Sequence, residues 1–137
     1  MDAKNKTVGE PLVSIVDDDV SVRRSTRRLL LSSGLRAEAF ASAEEFLVSG
    51  WAKETGCLLL DVRMPGMDGL ELQRRLSETD RMIPIIFLSA RASEEEERRA
   101  LRAGAAYFLR KPVSKEALLN AIRAVLENSN NYPRSES

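Results

Sequence analysis

Short apolar runs of β type alternate with segments of helical periodicity five times along this chain, and few folds accommodate that rhythm. The runs span residues 12–17, 36–40, 57–61, 83–89 and 106–110, and the helical segments span 20–33, 43–49, 69–79, 93–103 and 114–127. Five βα units in this order argue for a parallel sheet covered on both faces, since each crossover between parallel strands needs a helix and is right-handed. With 137 residues the chain has room for one such domain and not for two.

Local signals agree with the boundaries. Ser42 with Glu45 and Ser93 with Glu96 fit capping-box spacing, Asp68 with Glu71 imitates it, and Gly34 and Gly104 fall where the first and fourth helices should stop. In the first helix Val22, Thr26, Leu29, Leu30 and Ser33 share one side, and Arg23, Arg24, Arg27 and Arg28 take the other. That arginine stripe reads equally as a solvated face or as a docking face for an acidic partner. The fourth helix opens with Glu94 to Glu97, Arg98 and Arg99, leaving Ala100, Leu101 and Ala103 as nearly its only apolar anchors. It should be weakly held, with Glu94–Arg98 and Glu95–Arg99 pairs stabilising the helix without fixing it to the sheet. Leu119 and Leu126 widen the apolar stripe of Leu118, Ala121, Ile122 and Val125, which favours core packing over a dimer contact.

Charge and cysteine content narrow the function. Basic and acidic side chains number 21 each, so no global field favours nucleic acid or an anionic membrane surface. The absence of histidine excludes mechanisms that need an imidazole base or ligand. Cys57, the one cysteine, has no internal disulfide partner and reads as a packed small hydrophobe. The polar start, Met1 to Pro11, lacks a signal-peptide core, and no segment has the length to span a bilayer, so a cytoplasmic location without membrane contact is expected. The expected organisation is a flexible extension over 1–10, a folded unit over 11–128 and a polar tail or linker stub over 129–137.

Chemistry concentrates at the carboxyl ends of the strands, where open α/β sheets place their sites. Asp17-Asp18-Asp19 follows the first strand and Asp61 ends the third, ahead of Val62-Arg63-Met64-Pro65-Gly66. The first and third strands are neighbours in such a sheet, which brings Asp17, Asp18 and Asp61 together. A carboxylate pair about 5 Å apart repels by roughly 3 kcal/mol at an effective dielectric of about 20. A divalent cation removes that cost, and an open all-oxygen site suits Mg²⁺. The fourth strand closes with Ser89-Ala90 and the fifth with Lys111-Pro112, and neither a P-loop nor a GxGxxG motif occurs. Carboxylates, a hydroxyl and a lysine at successive strand ends suit a phosphoryl group held covalently on a carboxylate, with Asp61 as nucleophile, Ser89 and Lys111 on the phosphoryl oxygens and Mg²⁺ as counter-charge.

Val16-Asp17-Asp18, Leu60 to Gly69, Leu88-Ser89-Ala90 and Lys111-Pro112 together resemble the receiver domain of two-component response regulators, over about residues 10 to 128. The resemblance implies a flavodoxin-like doubly wound (βα)5 fold with strand order 2-1-3-4-5. It implies a phosphorylation-dependent switch that catalyses only its own phosphoryl transfer and dephosphorylation. Asp61 would take phosphoryl from a sensor histidine kinase or histidine phosphotransferase. Asp18 would ligate Mg²⁺ directly, Asp17 mostly through water, and the Arg63 backbone carbonyl would add another ligand. Ser89 and Lys111 would hold the phosphoryl oxygens, Lys111-Pro112 would be cis, and Ala90 would leave room for the group. Ser89 and Phe108 would form the switch, with the Phe108 ring partly inward even without phosphate, reshaping the face of the fourth helix, fifth strand and fifth helix. That face would also serve a homodimer. Arg63 and Arg91, at variable positions near the site, leave the dephosphorylation rate open.

The strand-one and strand-five motifs resemble those of receivers that precede LuxR-type DNA-binding domains. No helix-turn-helix follows residue 128, so DNA would be reached only through an output domain absent from this chain, which is either a stand-alone regulator or part of a longer one. Two other functions stay in view. A phosphatase with an aspartyl-phosphate intermediate, of the haloacid-dehalogenase type, usually needs a second acid where Arg63 stands, together with a cap domain. A pseudo-receiver acting only as an interaction module would not need the full acidic set.

Overall fold

The computed structural model describes residues 11–80 and 82–130. Five strands, β1 (Leu12–Val16), β2 (Arg36–Phe40), β3 (Thr55–Leu60), β4 (Ile85–Ser89) and β5 (Tyr107–Arg110), alternate with five helices, α1 (Val20–Ser32), α2 (Ala43–Ser49), α3 (Gly69–Ser77), α4 (Glu94–Arg102) and α5 (Lys115–Asn130). The strands form one parallel sheet in the order β2-β1-β3-β4-β5. This is the doubly wound 2-1-3-4-5 arrangement expected from the sequence.

Every residue of β1 and of β4 is buried, because helices cover both faces of the sheet. On one face Phe46 of α2, Leu72 of α3 and Ala100 of α4 pack against Val16, Leu58, Leu60 and Phe87. On the other, Leu30 of α1 and Leu118, Ile122 and Val125 of α5 pack against Val13, Ile15, Leu59 and Ile86. Each large apolar side chain withdrawn this way contributes about 1.5–3 kcal/mol. Leu126 is buried and Leu119 packs against the same cluster, so both belong to the core. Cys57 is fully buried, and desolvation pushes its thiol up to about 12, as an inert packed residue requires.

The caps form largely as the spacing implies. Ser93 and Glu96 make the complete capping box, while Ser42 caps Glu45 and Asp68 caps Glu71 in one direction. Glu45 instead accepts from the Ala41 amide, and Glu71 turns to Arg74 and Arg75. Gly34 and Gly104 follow α1 and α4 with positive φ, the conformation that ends a helix most cheaply at glycine. One element was not expected, a single 3-10 turn over Trp51–Glu54 that feeds β3 two residues earlier than the apolar run begins. Thr55 donates to the Trp51 carbonyl at 2.8 Å and receives the Ser14 hydroxyl at 2.8 Å, which satisfies two buried hydroxyls beneath the sheet. The expected polar tail also starts later, because α5 continues through Asn130; the remainder of that tail, like the extension over 1–10, lies outside the described residues.

Candidate functional site: an acidic cluster at the carboxyl edge

Parallel pairing puts all five strand ends on one edge, and the register carries the acidic residues past it together. The Asp17 amide donates to Phe40 at 3.2 Å and the Asp61 amide to Val16 at 3.1 Å, so both residues leave the ladder at the same level. Asp17 is buried, Asp61 half-buried and Asp18 exposed, and one carboxylate oxygen from each lies within 4.8 Å of the others. Asp19 is not in that cluster. It caps α1, accepting from the Ser21 and Val22 amides, as a carboxylate just ahead of a helix commonly does.

Lys111 reaches the same point from the end of β5, whose backbone is held by the Lys111 amide donating to Ser89 at 3.0 Å. Its Nζ lies 2.9 Å from Asp17 Oδ2 and 3.7 Å from Asp61 Oδ2. Burial pushes the Asp61 carboxyl above the ordinary aspartate value against the pull of Lys111, and the neighbouring Asp17 and Asp18 charges push the same way. Burial would lower Lys111, yet its bond to Asp17 and the charges of Asp17 and Asp61 carry it upward overall. The ammonium is therefore fixed as a cation between two carboxylates. The Lys111-Pro112 peptide is cis.

Ser89 is buried at the end of β4, and its hydroxyl faces the Arg91 amide at 3.4 Å. Phe108 is half-buried against the core, its ring stacked on Phe87 with centroids 5.6 Å apart. The Arg110 guanidinium lies 5.4 Å from the Phe108 ring centre on its own account. Tyr107, beside it, is exposed. The Arg63 amide points at Asp61 Oδ1, 3.4 Å away, whereas its guanidinium is turned to Glu96 at 2.8 Å. Arg91 is exposed.

Several contributors carry no signal in the sequence. Arg23 donates to the Asp17 carbonyl at 2.9 Å and Arg27 to the Ala37 carbonyl at 3.1 Å, so half of the α1 arginine stripe braces the sheet and only Arg24 and Arg28 are exposed. Glu44 accepts from the Met67 amide at 3.1 Å and steadies the loop after β3. Helix α4, expected to be loosely attached, has one buried apolar residue, Ala100, but polar tethers hold it. Arg110 grips Glu97 at 2.7 Å and the Ala92 carbonyl at 2.7 Å, and the buried Gln73 side chain donates to the Ala100 carbonyl at 3.0 Å. Within the helix the pair that forms is Glu95–Arg98, one residue shorter in spacing than either pair expected.

The cluster is a set of hard oxygen donors, partly open to water and partly buried, with the Lys111 ammonium held between two of them. Such a donor set fits a hard divalent ion that keeps some of its waters. Residues 13–123 match the family described as the response regulator receiver domain. The chain belongs to that family. It is 45% identical over 118 residues to the response regulator protein TmoT of Ectopseudomonas mendocina, covering 86% of this chain and 54% of TmoT. It is 39% identical over 124 residues to the transcriptional regulatory protein FixJ of Azorhizobium caulinodans, covering 90% of this chain and 59% of FixJ. The CheY-like receiver domain protein of Methanospirillum hungatei superposes with a TM-score of 0.84 at 29% identity, over 90% of this chain and 98% of that one. The chain spans just over half the length of these curated relatives. As a receiver domain it is a signalling domain of two-component systems, built for phosphorylation-dependent signalling rather than for turnover of a substrate.

Proposed function

We propose that residues 11–128 form a receiver whose Asp61 accepts a phosphoryl group from a sensor histidine kinase or histidine phosphotransferase. The observation that carries this reading is the convergence of three carboxylates and Lys111 at adjacent strand ends, with Lys111 Nζ 3.7 Å from Asp61 Oδ2. In the transfer, an Asp61 oxygen forms a bond to phosphorus as the bond from phosphorus to the donor histidine nitrogen breaks, and the electron pair returns to that nitrogen. Lys111 neutralises a phosphoryl oxygen, and Ser89 donates its hydroxyl to another. Asp17, Asp18, Asp61 and the Arg63 carbonyl would hold Mg²⁺, which supplies positive charge to the transferring group.

Movement of Ser89 toward the phosphoryl group would admit the Phe108 ring further and alter the α4-β5-α5 surface, where Leu101 and Tyr107 are exposed. That surface is the part offered to a second copy or to an output domain. Transcriptional output, as the name of FixJ suggests for that protein, would require DNA contact from a segment outside this chain. A phosphatase reading is disfavoured by Arg63 at the position where a second acid is needed, and by its guanidinium being engaged with Glu96.

Incubation with phosphoramidate and Mg²⁺, followed by intact mass, tests the proposal. A single phosphoryl adduct in the wild type, missing in Asp61→Asn, is expected. Rapid hydrolysis of a generic phosphate ester would favour the phosphatase, and the lack of any adduct would reduce the domain to an interaction module.

A further inference from the structure

We infer that Glu96 is a positioning residue for the chemistry at Asp61: it holds the Arg63 guanidinium away from the phosphoryl position, and so sets how long the phosphoryl group survives. The inference rests on the reading of Asp61 as phosphoacceptor. Arg63 Nη2 lies 2.8 Å from Glu96 Oε1, and that same oxygen accepts the Ser93 amide at 2.9 Å. One carboxylate oxygen thus serves both as the cap of α4 and as the anchor of an arginine from the phosphoacceptor loop. The Arg63 amide is 3.4 Å from Asp61 Oδ1, so a released side chain can fold over a group carried on that carboxylate.

The two anchors are unequal once phosphorylation occurs. Glu96 offers a single negative charge in a pair whose Arg63 side chain is 55% exposed, whereas a phosphoryl group brings about −1.5 to −2 and three acceptor oxygens. The guanidinium therefore divides its time between Glu96 and the phosphoryl group. Loss of the group needs a water oxygen to bond to phosphorus opposite the Asp61 oxygen, as the bond from phosphorus to that oxygen breaks. The electron pair returns to the carboxylate, and the water proton passes to the departing phosphate or to solvent. A guanidinium seated over the phosphoryl group occupies the open side from which that water comes. Weakening the hold of Glu96 lengthens the lifetime, and removing Arg63 shortens it.

Glu96→Gln is the informative variant because glutamine keeps the capping box while surrendering the charge. Wild type, Glu96→Gln, Arg63→Ala and the double variant are loaded with phosphoramidate and Mg²⁺, the donor is removed, and adduct decay is followed by intact mass. Glu96→Gln is expected to lengthen the half-life about two- to fivefold, the range that one exposed ion pair supports. Arg63→Ala is expected to shorten it, and the double variant to decay like Arg63→Ala alone. An unchanged half-life in Glu96→Gln, or the same factor with and without Arg63, overturns the inference and leaves the reading of Asp61 standing, since a structural effect through α4 would not depend on Arg63. Absence of any adduct in the wild type sinks both.

Discussion

Asp61 carries a negative charge at a place that resists one, and its substitution should show this directly. Burial and the neighbouring carboxylates raise its folded pKa above the ordinary aspartate value, so the folded state disfavours the ionised form. The cost is fully present above the raised folded pKa and disappears as pH falls below the unfolded value. Asp61→Asn should therefore melt higher than wild type at neutral pH without divalent cations, by a few degrees in a domain of this size. The gap should close as the melts are repeated toward acid; a gap independent of pH would mean that some other contact of the amide is responsible. Lys111 has the opposite character. Removing its ammonium as Lys111→Met leaves the Asp17 carboxylate, 5% exposed, with, among the described residues, the Asp19 amide on its other oxygen. A loss of about 2–4 kcal/mol by urea denaturation is expected at neutral pH in the absence of Mg²⁺, because an uncompensated buried charge costs more than a missing pair gains.

At the level of elements, the loop between β3 and α3 and the attachment of α4 decide how the site is framed. Gly69 opens α3 with its amide on the Val62 carbonyl at 2.9 Å, and a Cβ there would overlap the Asp61 carbonyl oxygen. Since the obstacle is backbone, Gly69→Ala should cost at least about 2 kcal/mol by chemical denaturation and move Asp61, the proposed phosphoacceptor. For α4, Arg110→Ala removes the hold on Glu97 and on the Ala92 carbonyl together. Amide exchange in the first turn of α4 should quicken about tenfold, as the loss of roughly 1.4 kcal/mol of charge-assisted bonding produces, while exchange in β1 stays as it was. These attachments mark the limit of what the chain disclosed before folding. Strands buried on both faces announce themselves as unbroken apolar runs, and the acidic strand ends follow from topology, so sheet order and the convergence of Asp17, Asp18, Asp61 and Lys111 were legible. The Trp51–Glu54 turn was not, being a single turn without periodicity, and neither was the early start of β3 at Thr55-Gly56, which lack apolar character. Arg63–Glu96 and Arg110–Glu97 join residues 33 and 13 positions apart, and no spacing rule reports such pairs. The expected looseness of α4 came from counting apolar anchors alone.

Across the molecule, the two apolar clusters are separated only by the sheet whose strands furnish both, so neither can melt while the other persists. Unfolding should then be one cooperative transition, and a ligand at the carboxyl edge should stabilise the opposite edge equally. Trp51, the only tryptophan, lies just before β3 and packs against the cluster under α2, which makes it a natural probe of that far edge. Mg²⁺ at about a hundred times its Kd should add about 2.7 kcal/mol, moving the melting midpoint on the order of 10 °C. Trp51 fluorescence and far-UV circular dichroism should shift by the same amount, and chelation should reverse both. In Asp18→Asn the shift should shrink, because the exposed member of the three-carboxylate cluster is the one with the most freedom to meet an ion. A Mg²⁺ effect seen in the circular dichroism but not in Trp51 would divide the domain into two units and break the link between the acidic carboxyl edge and the rest of the fold.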